Sequence, residues 1–511
     1  MATEALMSET IDPRGHTTVA VRHRGRLFAG SCCGAGISGL RFAVLGAIMY
    51  TLKERFLLTN EQVGSISGAG LWGCAAAMLC CGSLCDAVGM KRFVYTAFLA
   101  HVGGTLLMIV AKNFTMLYAG ALTISVGDGL LQSAIYPLVA TIYPDRKTEM
   151  FNKLLLWFPG GMVLGGLIIF AIGSPAASHF AQTYLPGVGL WQWELALLFV
   201  PAVAYGLLFL GQTFPATERV QAGISYGQMF RETFARPLYW LLLACMMMTA
   251  SVELGPNAWV TAVLEAKELP GILIFVWISL LAAVMRYFAG ALGRRVRPTA
   301  VLLGSAVLSG GGLLWLSAAD TLAAVMAASA IFSVGVCSFW PTMLGVTADR
   351  VPKGGALALT LMSSAGMFFV GYATLPEMGR LADSYAQGQL PTVATIAVLQ
   401  QTVARYGGPA PQQSDWLPQD AAEAVKAAEA VLAFYAASGE LPRYETAAAL
   451  RRTKAVEQQL PLAKQVDAVL KPAENYGGRV SFRWVALLSA ALTVIFAALY
   501  LDDRVRGRRA E

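Results

Sequence analysis

Three ionisable residues, Arg41, Asp128 and Glu253, stand near the middle of runs of about 20 apolar residues, each run long enough to cross a bilayer. A charge at the centre of a hydrocarbon core costs roughly 3 kcal/mol or more, so it survives mainly where it pairs, binds or moves charge. Arg41 and Asp128 are opposite in sign and comparable in depth. They are expected to form an ion pair that opens or swaps partner when a substrate or a proton arrives. Asp128, Gln132 and Tyr136 follow at intervals of four and share a helix face. Thr249, Glu253 and Asn257 repeat that spacing, with Trp259 close by and Gly255-Pro256 expected to break the helix locally.

Hydrogen-bonding groups alternating with aromatic faces suit a polyhydroxylated solute, whose hydroxyls need partners and whose C–H face stacks on rings. Amino acids, nucleosides and small carboxylates would fit the same groups, and Arg41 could anchor an anion. Trp157 and Trp340, each near a proline, are further candidates to line an inner cavity. Plainer roles compete with these. Arg41 and Asp128 could be a fixed structural pair, Glu253 an interhelical hydrogen-bonding group, and His101 a packed polar residue. Arg286, near the inner edge of its run, reads as a snorkelling or gating cation.

The elements that must position these groups follow from composition. The chain has 511 residues, 56% hydrophobic and 14% charged, where soluble domains carry about 25% charged residues. Twelve apolar runs are read: 27–49, 62–84, 93–110, 116–142, 154–173, 190–211, 240–264, 271–292, 300–318, 322–346, 356–376 and 483–501. The fold class is therefore an all-α membrane protein with twelve transmembrane helices. Tyr136-Pro137, then seven residues to Asp145-Arg146, recurs as Trp340-Pro341, then seven residues to Asp349-Arg350. That repeat points to duplicated six-helix bundles related by pseudo-symmetry, the architecture of a secondary transporter.

Lys and Arg cluster in alternate loops, which places both termini in the cytoplasm and accounts for the net charge of +7 without a nucleic-acid partner. A bacterial inner membrane fits the short tails, and a monomer is expected. The basic first 26 residues read as a cytoplasmic tail rather than a cleaved signal. The eight cysteines show no metal-ligand spacing, and phosphate-loop, zinc-protease and hydrolase motifs are missing. An enzyme, a metal site and a cofactor are not expected.

The runs divide the chain into a tail (1–26), an N-terminal bundle (27–213), a connector (214–238), helices 7 to 11 of the second bundle (239–380), an insert (381–480), helix 12 (481–503) and a basic tail (504–511). Topology puts the insert outside the cell, and its Ala-, Glu- and Lys-rich stretches 421–437 and 444–459 predict a small helical cap.

Between the second and third runs, Gly82, Asp86, Gly89, Lys91 and Arg92 reproduce the spacing of the signature loop of the major facilitator superfamily, which the chain resembles. The resemblance implies that this loop gates the inner side, with Arg286 beside a worn copy at Gly290-Ala291-Leu292-Gly293. Gln132-Ser133-Ala134-Ile135-Tyr136-Pro137, followed by Asn152 and a glycine-rich fifth run, is similar to the fucose permease type of sugar and proton symporter. That type is expected to carry acids where this chain has Gly46 and Gln132. The implied function is secondary active transport of a small polar solute, first a sugar-like compound, by proton-coupled symport. An organic anion or amino acid anchored by Arg41, or a non-transporting membrane receptor built on the insert, are the alternatives.

Overall fold

The computed structural model describes residues 9–11, 17–19, 23–81, 88–143, 150, 153–174, 189–215, 233–265, 269–293, 296–351, 355–408, 418–442, 445–456 and 461–505. The first bundle holds α1 (Arg24–Phe56), α2 (Asn60–Cys81), α3 (Met90–Ile109), α4 (Phe114–Ile142), α5 (Trp157–Ile172) and α6 (Leu190–Phe209). The second holds α7 (Pro237–Glu265), α8 (Gly271–Gly293), α9 (Pro298–Ala318), α10 and α11. α10 is split into Leu322–Val336 and Phe339–Arg350, and α11 runs from Gly355 to Gln387 through a π-helical turn at Val370–Thr374. Then come α12 (Thr392–Tyr406), α13 (Pro418–Ser438), α14 (Glu445–Val456) and α15 (Pro461–Val505), the last of which supplies the twelfth span. Among the described residues, eleven helices are long and apolar enough to cross a membrane, and the apolar Gly271–Arg286 segment of α8 completes the expected set. A short antiparallel ribbon, Glu9–Ile11 with Thr17–Val19, lies in the N-terminal tail.

Local chemistry sets many of the helix ends. Asn113 caps α4 by accepting from the Met116 amide at 2.9 Å. Thr321 caps α10, Pro298 opens α9, and Gly89 enters α3 with a φ of 94°. Pro256 does not break α7. The helix runs through it, with Glu253, Leu254, Gly255, Pro256 and Asn257 all buried. Helices of the bundle tolerate an internal proline when nearby groups satisfy the freed backbone.

Two faces of the molecule can be told apart by their ion pairs. Arg350 and Thr299 both meet Asp503 near the end of α15, which fixes the terminal side. Arg479 reaches Asp320 and the Ser317 carbonyl at the opposite, insert side. α15 starts 20 residues before the expected helix 12, and at 1.5 Å per residue its 45 residues reach about 68 Å, more than twice a hydrocarbon core. Its projecting half joins the end of α11 and helices α12 to α14 around a separate apolar core that includes Leu399, Val431, Leu450, Val466 and Leu470.

The bundles touch through glycines. A Cβ on Gly64, Gly68 or Gly379 would strike the backbone of Leu375, Gly371 or Asn60, so α2 and α11 lie backbone to backbone. Gly166 of α5 faces Val276 of α8, and Gly46 of α1 faces the Ala258 carbonyl of α7. These glycine contacts lie in the middle and insert-side stretches of their helices. At the terminal-side start of α5, Leu155, Leu156 and Trp157 are exposed. The bundles are thus closed against each other on the insert side.

Candidate functional site

Arg41, Asp128 and Glu253 fall near the centres of α1, α4 and α7, and all three are buried. Arg41 Nε donates to Asp128 Oδ2 at 2.6 Å, with the aspartate only 1% exposed. Gly70 of α2 makes room for this pair, because a Cβ there would meet the guanidinium. Two more donors converge on Asp128. Ser38 Oγ, one turn before Arg41, donates to Oδ1 at 2.7 Å, and His101 Nε2 of α3 lies 3.2 Å from the same oxygen. His101 Nδ1 is 2.7 Å from the Tyr205 hydroxyl of α6. One tautomer satisfies both contacts: Nε2–H donates to the carboxylate while Nδ1 accepts from the phenol. The result is a buried chain, Tyr205 to His101 to Asp128 to Arg41, threaded through four helices.

Gln132 and Tyr136 extend this network along α4. Tyr136 Oη donates to Gln132 Oε1 at 3.2 Å, and Gln132 Nε2 approaches Ser38 Oγ at 3.4 Å. In the second bundle, Glu253 Oε1 pairs with Arg286 of α8, whose Nε also donates to the Cys337 carbonyl at 3.1 Å. Arg286 is thus held between a carboxylate of α7 and a carbonyl of α10, with 30% of its side chain still exposed. Glu253 Oε2 and Asn257 Oδ1 are buried without a hydrogen-bond partner, one helical turn apart. Buried acceptors without donors are costly, and a hydroxyl-bearing solute would supply the donors.

The other sequence candidates are dispersed. Trp259 is buried with its indole N–H unpartnered, beside a narrow insert-side cavity lined by Tyr50, Lys53, Asn60 and Glu474. Trp157 is exposed at the start of α5, and Trp340 is half-buried against the core. In the gating loop, Lys91 sits over the Tyr95 ring at 6.0 Å, and Arg92 is exposed at the start of α3. Gly82, Asp86 and Asn152 lie outside the described residues. Ser38 and Tyr205 gave no signal as members of a site. His101 did carry one, as a lone imidazole in a membrane span, although packing was the plainer role for it.

Comparison with known proteins identifies this framework. The description "Major Facilitator Superfamily" matches residues 31–374, from α1 to the π-turn of α11. The chain belongs to the major facilitator superfamily. It is therefore a multi-pass membrane protein of a transporter family rather than an enzyme family. Among curated relatives, it is 24% identical over 226 residues to a vacuolar membrane amino acid uptake transporter of Schizosaccharomyces pombe, covering 42% of this chain and 36% of that protein. A D-xylose-proton symporter-like protein of Arabidopsis thaliana is 24% identical over 181 residues, covering 33% of this chain and 35% of the relative. The matched region thus spans about a third of these relatives' length.

Solved structures agree in fold. A bacterial homologue of the human lysosomal transporter Spinster, in an inward-facing and unoccupied conformation, aligns with a TM-score of 0.67 at 13% identity over 94% of this chain and 98% of that one. A D-xylose-proton symporter aligns with a TM-score of 0.55 at 14% identity over 70% of this chain and 90% of its own.

Proposed function

We propose that this major facilitator protein carries a small polar solute, first a sugar-like compound, across a bacterial inner membrane by proton-coupled alternating access. The observation that carries the reading is the buried Tyr205, His101, Asp128 and Arg41 chain. A carboxylate held by a cation and linked to an imidazole is a group whose protonation changes its pairing, and that is the element proton coupling needs. Asp128 lies one turn from Gln132, where the fucose permease type is expected to carry an acid, so the acidic function has moved one turn along the same face. The solute would sit between the bundles, donating hydroxyls to Glu253, Asn257 and Gln132 and stacking on nearby rings. Similarity to xylose and amino acid transporters supports a small polar solute without choosing among them.

Arg41 fits poorly as an anchor for an anion, since Asp128 already neutralises it. Positive-inside topology puts the terminal side in the cytoplasm, through Arg24, Arg26, Lys91, Arg92, Arg297 and Arg350, and the insert outside. The transporter would act as a monomer, since each chain holds both bundles.

The test is uptake into proteoliposomes under an imposed pH gradient, with radiolabelled xylose and inositol and with unlabelled sugars, amino acids and organic acids as competitors. Sugar-selective uptake driven by an inward proton gradient is the expected result. Competition confined to anions would return the role of anchor to Arg41. If Asp128→Asn and Glu253→Gln both leave gradient-driven uptake intact, the coupling assignment is wrong.

A further inference from the structure

Lys53, Glu474 and Arg451 form an ionic cluster remote from the central pairs, and all three are buried, with exposures of 5%, 8% and 4%. Lys53 Nζ is 2.8 Å from Glu474 Oε1, and Arg451 Nε donates to the same oxygen at 3.1 Å. These three residues come from separate parts of the chain. Lys53 ends α1 of the first bundle, Glu474 stands on the projecting half of α15, and Arg451 belongs to α14 of the insert. Further contacts join the same partners. Arg451 Nη1 donates to the Leu58 carbonyl at 3.0 Å, Lys454 bridges Glu54 and Asp467 at 3.0 and 2.9 Å, and Asn60 Nδ2 donates to Asp383 of α11 at 2.7 Å.

The insert must move with the second bundle. Its helices share one apolar core with the ends of α11 and α15, both of which continue into spans of that bundle. Its links to the first bundle are polar contacts at the tips of α1 and α2. Separation of the bundles on the insert side, besides opening the glycine contacts of α2 with α11 and of α5 with α8, would leave the insert's apolar core whole and part its polar links to the first bundle.

We propose that the insert is a latch that holds the insert-side gate shut, fastened by Lys53 to the Glu474 and Arg451 pair. The charges are arranged for reversible release. When Lys53 withdraws, Glu474 keeps Arg451, so neither of these two charges is left unpaired, while Lys53 passes into water at the helix tip. A buried ion pair that loses one partner outright is strongly destabilised, and this cluster avoids that penalty by sharing one carboxylate between two cations. The asymmetry predicts that Lys53 sets the balance of closed and open forms, whereas Arg451 supports the insert itself. The inference rests on the rocking of two bundles proposed above, but not on which solute they carry.

The test uses the full chain with its eight cysteines replaced. Spin labels are placed at Glu61→Cys and Gln389→Cys, two exposed positions on opposite sides of the gate. Double electron–electron resonance then reads the distance across it. Lys53→Met, which leaves the Glu474 and Arg451 pair in place, should raise the long-distance population at least fivefold over the parent. Asn60→Ala removes a separate contact and should shift the population in the same direction. An unchanged distance distribution in both variants, in monodisperse protein with parental melting, overturns the latch. Loss of uptake in Lys53→Met with unchanged distances also overturns it, because Lys53 would then serve the solute path. A distance shift in a protein that takes up no sugar leaves the latch standing and removes the substrate assignment instead.

Discussion

At the scale of single residues, Asp128 concentrates the chemistry. It accepts from Arg41, Ser38 and His101 while only 1% exposed, so its charge is held by three donors from two helices, α1 and α3. Asp128→Asn removes the charge that Arg41 needs and should cost about 3–5 kcal/mol of stability, the usual penalty for breaking a buried pair from one side. Thermal melting of purified protein would read this as a clear drop, with proton-driven uptake reduced more than tenfold. Tyr205→Phe removes only the outermost hydroxyl of the chain, and uptake should fall by less than the aspartate variant shows. Equal losses in the two variants would mean that the network is a rigid unit rather than a graded relay. Arg41 and Asp128 were legible in the sequence because charges inside apolar runs are conspicuous. Ser38 and Tyr205 were not, since serine and tyrosine are ordinary residues of membrane helices. The partner of Arg286 was not legible, because its distance from the inner edge of the run says nothing about the carboxylate that α7 presents to it.

At the scale of elements, apolar length predicted the spans and small residues decided how they meet. Gly68 and Gly371 bring α2 and α11 into backbone contact, whereas Gly103 of α3 has open space where a Cβ would stand. Gly68→Val should therefore wedge the two bundles apart on the insert side and abolish most uptake, while Gly103→Ala should change melting by no more than about 0.5 kcal/mol, as exposed substitutions do. Comparing the two variants separates glycines that set packing from glycines that only fill a span. Equal behaviour would refute the close-approach account of α2 and α11. The sequence showed the glycines but not their partners, because those lie about 300 residues away along the chain. The same limit hid the start of α15. Pro472 lies inside that helix, and its neighbours Val469, Leu470 and Ala473 are buried in the core of the insert. Tertiary burial outweighed the local signal. The reading of Gly255-Pro256 as a break failed for a similar reason, since buried α7 keeps its course through Pro256.

At the scale of the whole molecule, the closed insert side is one of at least two states that alternating access requires. The contact between α5 and α8 offers a direct check. A side chain at Gly166 would meet Val276, close enough for Gly166→Cys and Val276→Cys to reach disulfide geometry after a small adjustment. In a background without the native cysteines, oxidation should lock the bundles together on the insert side and stop uptake, and dithiothreitol should restore it. Each single-cysteine variant should ignore the oxidant, which separates the lock from damage by substitution at a tight glycine. The locked protein should still admit solute from the terminal side, so binding measured by thermal shift in detergent should persist while vectorial uptake is lost. Loss of both would indicate that the cross-link distorts the central pairs. Full uptake in the oxidised double variant would show that the carrier never needs to part α5 from α8, and the rocking of the bundles would have to be abandoned.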